Sequence, residues 1–437
     1  MRIVHLAAGA GGMYCGACAR DISLAKGLIA QGDDVIILPL YTPLRVDSDL
    51  TQTVPQDKIF LGGINSWLQQ NIPIFRKTPV WMDRLLDNPK LLLWASKFAV
   101  SVKAEELGPM TYSVLLGKNG YQRKEMDKLF AHMDTLQPFH LVSVTNTLLS
   151  AVAPEIRERY KIPVVCAFQG EDSFVEAFPE EWRSKVWRRM QENVRAVDCF
   201  ISPSHDATER MSAYLQLRRE KIHMIPTGID LTRYESIVDG KREPFTVGYV
   251  SAIIYGKGLD ILVEALRILT NRGTGRVRLL VAGKVMNPKY WMQVRTSISQ
   301  CVNMEFKYLG EINFEEKTRL LRSCNAFSVP SRIPEVRSMA MMEAMACGTP
   351  VIAPNHGVFP ELIGITSGGA LFDKNKPEEL ANILQDWMNH PEKAEAYGKS
   401  AREGISKHYR LEDMIRQTRE LYGEIAGQIG NPSREEP

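Results

Sequence analysis

The stretch Arg2–Tyr41, RIVHLAAGAGGMYCGACARDISLAKGLIAQGDDVIILPLY, decides the fold. RIVHLAA is a short apolar run without alternation, the pattern of a strand buried on both faces. A glycine-rich segment follows, and then Ile22, Ala25, Leu28 and Ile29 recur with helical spacing up to a stop at Gly32. DDVIILPLY is a second buried strand. Strand, glycine turn, helix and strand in that order predict a βαβ unit, the opening of a doubly wound parallel sheet.

The alternation continues outward at FHLVSVT, IPVVCAFQG and VDCFISPS, each followed by a helical pattern. A second series starts near Phe245 with FTVGYVS and runs through VRLLVAG, MEFKYLGEI and AFSVPS to TPVIAP. The expected class is therefore α/β, with two Rossmann-like doubly wound domains facing across a cleft. The expected boundaries are an N-terminal domain over residues 1–230, a C-terminal domain over 245–410, and a helix over 411–430 that crosses back to the N-terminal domain. The polar run ESIVDGKREP, Glu235–Pro244, reads as the linker. Residues 60–130 interrupt the rhythm with an aromatic and basic insertion.

The bulk numbers bound the function. The 437 residues have a hydrophobic fraction of 44% and a net charge of +3. That length suits two or three domains, and the small charge argues against an extended nucleic-acid footprint. No apolar run reaches the roughly 18 residues of a membrane span, and the chain passes from Met1 straight into a strand with no secretory leader. Seven scattered cysteines suggest free thiols and a cytoplasmic setting.

In open α/β sheets, ligands bind beyond the carboxyl ends of the strands, at helix N-termini. The segment VPSRIPEVRSMAMMEAMACGTPVIAP, Val329–Pro354, has that placement. Glu335 lies in the loop, Ser338 stands where a helix N-cap belongs, and Gly348 closes the helix. The first N–H groups, behind Arg337, Ser338 and Met339, suit an anion such as a diphosphate. Glu343 lies further along the same helix, where a carboxylate can accept two hydroxyl hydrogen bonds from a ribose. Read alone, either glutamate is equally a solvated charge.

EVRSMAMMEAMACGTPVIA resembles the signature of glycosyltransferase family four, retaining enzymes of the GT-B fold. KIHMIPTGID, GKGLDILVEAL, and FPELI with GGALF resemble further segments of that family. The resemblance implies a nucleoside diphosphate sugar as donor substrate, no cofactor or metal, and a hydroxyl acceptor: a glycan, a lipid-linked molecule or a small molecule. It implies an acceptor-binding N-terminal domain and a nucleotide-sugar-binding C-terminal domain. It assigns Lys257 to the diphosphate, Glu335 to the donor sugar hydroxyls and Glu343 to the ribose. It also places Gln169, in PVVCAFQGED, where the family carries a histidine near the reaction centre. The expected catalytic set is Glu335, Lys257 and Gln169. The family arginine five positions before the lysine is here Ala252, preceded by Ser251; Arg337 or Arg332 is the expected substitute cation. Ser251, Gly12, Gly16, Lys257, Arg337, Ser338, Met339 and Glu343 form the expected donor-binding set. Two rival readings stay open: a nucleotide-sugar binder or partner subunit without activity, and a GT-B nucleotide-sugar epimerase.

Three features have competing readings. Cys15 and Cys18 are small packing residues, a reactive thiol near a helix start, or a metal clip. Arg20 and Asp21 either touch an acceptor or pair locally. Trp67, Phe75, Trp81, Trp94 and Phe98, with Arg76, Lys77 and Lys97, either cap the first domain or form a peripheral membrane contact.

Overall fold

The structure is a computed structural model, which describes residues 1–9, 16–41, 59–78, 104–234 and 243–429. Gly12, Cys15, Trp81, Trp94, Lys97, Phe98 and most of the linker lie outside the described residues. The chain divides into two compact units, Met1–Pro226 with Glu412–Pro437, and Thr227–Leu411.

The first unit holds six parallel strands: β1 (Arg2–Ala7), β2 (Asp34–Pro39), β3 (Leu141–Val144), β4 (Val164–Ala167), β5 (Cys199–Ser202) and β6 (Ile222–Met224), in the order β2-β1-β3-β4-β5-β6. Every residue of β3, β4 and β5 is buried, which is why these runs read as continuously apolar. The helix Gly16–Ala30 connects β1 to β2 and buries Leu24, Ala25 and Leu28. Gly16 is thus the first helical residue. Cys18 is buried on the same helix.

The C-terminal helix Leu411–Ile429 counts with this unit from Glu412 on. Three contacts seat it. Ile415 lies so close to Gly27 that a Cβ there would stand 2.1 Å from the isoleucine Cδ1. Arg419 donates to Asp33 at 2.7 Å, and the Tyr422 hydroxyl meets Ser143 of β3 at 2.7 Å. Part of the insertion is helical, at Gly63–Asn71, Ala104–Leu115 and Arg123–Asp134.

The second unit holds β7 (Phe245–Val250), β8 (Val277–Ala282), β9 (Met304–Tyr308), β10 (Ala326–Phe327), β11 (Val351–Pro354) and β12 (Gly369–Phe372), all parallel, in the order β12-β11-β10-β7-β8-β9. The chain builds outward from β7 to β9, then returns to the other side of β7 and builds to β12. Its reversal point lies between β7 and β10, and the loops leaving those two strands flank the crevice where such sheets take ligands. In the first unit the corresponding point lies between β1 and β3.

Candidate functional site

The loop after β7 closes with one turn, Tyr255–Lys257, and the helix Leu259–Asn271 follows. Gly258 caps that helix with φ +71°. A side chain there is excluded twice: by the left-handed backbone, and because a Cβ would stand 1.9 Å from the Pro330 carbonyl. That contact is one of several joining the loop after β7 to the loop after β10. Arg332 N–H donates to the Gly256 carbonyl at 2.8 Å, and Arg332 Nη1 donates to the Tyr255 carbonyl at 2.8 Å. On the far side, Val358 N–H donates to the Glu335 carbonyl at 2.9 Å. The segment from Pro330 to Glu335 is therefore held at its start by the loop after β7 and at its end by Val358. Gly258→Ala combines backbone strain of about 1–3 kcal/mol with separation of these loops. We expect a melting temperature lower by several degrees and weaker nucleotide binding, read by thermal denaturation and calorimetry.

These loops bring Lys257 and Glu335 together: Lys257 Nζ donates to Glu335 Oε1 at 2.8 Å, across 78 positions of sequence. Both side chains are only partly covered, 24% and 13% exposed, so a ligand can compete for either. Arg332 is engaged elsewhere. Its fork meets both oxygens of Asp260 at 2.8 and 2.7 Å, and its guanidinium lies 3.9 Å over the Tyr255 ring. Burial pushes the Asp260 carboxyl up, but the Arg332 fork and the Tyr290 hydroxyl outweigh it and hold the group below its usual value. Arg332, one of the two expected substitute cations, is thus paired with Asp260 in this structure.

The helix Met339–Ala346 starts beside Glu335. Ser338 occupies its cap position, but its side chain makes no cap hydrogen bond. Its backbone, at ψ 81°, differs from that of Ser204, which has ψ 162° and accepts from the third N–H of its own helix. The Ser338 hydroxyl therefore does not occupy the first N–H groups, behind Arg337, Ser338 and Met339, where an anion would bind. Glu343 is the one charged residue of this helix and is buried among Met341, Met342, Ala344 and Met345. Lys317 Nζ donates to Glu343 Oε1 at 2.6 Å, and the Tyr234 hydroxyl reaches the same oxygen at 3.4 Å. Sequence reasoning missed Lys317. Its signal was present: in FEEKTRLLR a lysine shares a helix face with Leu320 and Leu321, where an apolar residue belongs. Ser251 follows β7, its N–H bonded to the Ala282 carbonyl at 3.1 Å.

Gln169 lies in the first unit, in the loop after β4. Its backbone N–H donates to Glu171 Oε2 at 2.6 Å, while Glu171 Oε1 accepts from the Thr147 N–H and hydroxyl at 2.8 and 2.7 Å. The loops after β3 and β4 are joined through this one carboxylate. The side-chain amide of Gln169 is enclosed, and neither its nitrogen nor its oxygen has a hydrogen-bond partner among the described residues. Arg20 and Asp21 pair locally, as one of their two readings had it. Asp21, 2% exposed, accepts from Arg20 at 3.0 Å and from the Thr145 hydroxyl, and faces His5 Nε2 at 3.4 Å.

The family profile described as Glycosyl transferases group 1 matches residues 235–404, which contain Lys257, Glu335 and Glu343. A second, described as Glycosyltransferase Family 4, matches residues 105–233, which contain Gln169. The chain belongs to the group 1 glycosyltransferase family. Among curated relatives of this family member, an uncharacterized glycosyltransferase of Methanocaldococcus jannaschii is 29% identical over 41% of the chain and 48% of its own length. An alpha-maltose-1-phosphate synthase of Mycolicibacterium smegmatis is 26% identical over 53% of the chain and 65% of its own length. The chain thus spans between about half and two thirds of these relatives' lengths. Among solved structures, sucrose-phosphate synthase from Thermosynechococcus elongatus superposes with a TM-score of 0.73 at 17% identity, over 98% of this chain and 99% of that one. An Anabaena protein in complex with UDP and glucose gives 0.67 at 18%, over 97% and 99%. At these identities what is shared is the fold, the two-domain α/β GT-B architecture.

Proposed function

We propose that this family member transfers a sugar from a nucleoside diphosphate sugar to a hydroxyl acceptor, with retention of anomeric configuration. The observation that carries the reading is the meeting of Lys257 and Glu335 at the reversal point of the second sheet, beside a helix whose cap residue Ser338 makes no cap hydrogen bond with its side chain. A diphosphate draws Lys257 away from Glu335, because phosphate oxygens offer the ammonium stronger charge-assisted bonds. Glu335 is then released to accept hydrogen bonds from the donor sugar. As the glycosidic bond breaks, charge builds on the leaving diphosphate, where Lys257 and the helix N–H groups already stand in place. In front-side attack the departing phosphate oxygen takes the acceptor proton, so no side-chain nucleophile and no metal is assigned. Gln169 supplies neutral hydrogen bonds to the substrate, for which its unpartnered amide is suited. The solved Anabaena neighbour with UDP and glucose supports a nucleotide sugar as donor.

A thermal-shift panel of nucleotide sugars tests the reading first. A donor present at a hundred times its dissociation constant stabilises by about 2.7 kcal/mol. Release of nucleoside diphosphate with a glycosylated product then establishes transfer. Binding without release makes the chain a nucleotide-sugar binder, and an epimerised donor makes it an epimerase. Glu343→Gln is expected to weaken nucleotide binding by roughly tenfold to a hundredfold, since a hydrogen bond to a charged group contributes about 1.5–3 kcal/mol. Unchanged affinity would contradict the ribose assignment.

No helix among the described residues is long and apolar enough to cross a membrane. The described part of the insertion exposes Trp67 and Ile74 beside Lys77, which suits a peripheral contact with a membrane carrying a lipid-linked acceptor. Co-sedimentation with anionic vesicles is the check, and protein left in the supernatant removes that part of the reading.

A further inference from the structure

The pair formed by Lys317 and Glu343 is unusual for its position. Lys317 lies on the helix Phe314–Arg322, which starts with a capping box between Asn313 and Glu316 and buries Leu320 and Leu321. Lys317 shares their face, three and four residues before them, and is itself 5% exposed. Its ammonium lies 2.6 Å from Glu343 and 5.6 Å from the centre of the Phe314 ring. Tyr234 stands edge-on to the same ring at 5.3 Å and reaches the same carboxylate oxygen. A lysine and a glutamate, both nearly fully buried, are therefore held together by groups from three separate segments, with the Arg233 guanidinium 3.7 Å from the centre of the Phe314 ring.

Folding does not require such a pair. The desolvation of two charges consumes most of their attraction, and well-packed apolar residues of similar volume commonly stabilise a core as well or better. What the pair provides and an apolar core cannot is a charged carboxylate in a set orientation. Chemistry at the ribose needs that group, because a vicinal diol donates two hydrogen bonds to one carboxylate.

We propose that Lys317 is a positioning residue of the nucleotide site, holding the Glu343 carboxylate in place for the vicinal diol of a ribose. The inference rests on the assignment of Glu343 to the ribose and extends it: Lys317 acts through Glu343 and touches no substrate. It also gives the second sheet two lysine–glutamate pairs with different duties. Lys257 exchanges its glutamate for the ligand, whereas Lys317 keeps its own.

The test is ribose discrimination. Calorimetric dissociation constants are measured for UDP, GDP and ADP and for their 2′-deoxy counterparts, on the wild type, Lys317→Met, Lys317→Arg and Glu343→Gln. The wild type is expected to prefer its best ribonucleotide over the deoxy form by about tenfold, the value of one hydrogen bond to a charged group. Glu343→Gln and Lys317→Met should both bring that ratio close to one, and Lys317→Arg should restore most of it. A folded Lys317→Met protein with the wild-type ratio overturns the inference, and if Glu343→Gln has lost the ratio, the ribose assignment stands without it. A wild type with no preference, or Glu343→Gln with the full preference, overturns the ribose assignment and the inference together. The double variant Lys317→Met, Glu343→Met removes both charges and covers the case in which Lys317→Met does not fold. It is expected to melt at or above the wild-type temperature with no ribose preference. A double variant that keeps the preference refutes the proposal.

Discussion

Lys257→Ala is expected to lower kcat for sugar transfer by about a hundredfold to a thousandfold, the cost of removing one preorganised group that meets developing charge. The effect should lie mainly in kcat. In the resting protein Lys257 already has a partner in Glu335, so its attraction for the bound donor is partly offset by the pair it gives up. That offset vanishes as charge accumulates on the leaving diphosphate, and interactions stronger in the transition state than in the ground state are those that raise kcat. Stability should hardly change, because a partly exposed ion pair contributes about 0–1 kcal/mol. Lys257→Arg keeps the charge but replaces a compact ammonium with a planar fork, so partial recovery is expected. Turnover at saturating donor is the measurement. A wild-type kcat in Lys257→Ala would remove Lys257 from the chemistry.

Asp21→Ala should cause the largest loss of stability, about 3–5 kcal/mol, because it strands buried charge. Asp21 lies at the reversal point of the first sheet, between His5 of β1 and Thr145 after β3, with Arg20 beside it. His5, Arg20 and Thr145 are all buried. Burial by itself would push the Asp21 carboxyl up; the charges of His5 and Arg20 and the hydrogen bonds from His5 and Thr145 outweigh it and hold the group down at about 2. A folded value below the unfolded one gives a definite sign. The stabilisation is complete above the ordinary carboxylate range near pH 4 and is lost as the pH falls toward 2. Between those limits the wild type should lose stability more steeply than Asp21→Asn, which cannot titrate. Urea midpoints at pH 7 and through the acid range provide both readings. Equal acid slopes in the two proteins would show that Asp21 does not carry this linkage.

These two sites differ in how much of each could be read from residue order. Lys257, Glu335 and Glu343 are marked by local context: a lysine in a turn before an amphipathic helix, and two acids eight positions apart around a helix start. Their partners carry no such mark. Lys317 sits 26 positions before Glu343, Asp260 sits 72 before Arg332, and Thr145 sits 124 after Asp21. Each pairing depends on which strands are neighbours. Ser338 shows the limit at short range as well, since residue type indicates a cap and the folded geometry leaves its side chain without a cap hydrogen bond.

The α/β class follows from the sequence alone, because burial on both faces of a parallel strand leaves a continuous apolar run, and one buried face of a helix leaves a period near 3.6. Both signals are local and survive in the order of residues. Which carboxylate meets which cation was decided only by the tertiary structure. Each parallel sheet reverses direction at one point, which brings loops distant in sequence together within its own unit, and the charges that meet there are set by strand order.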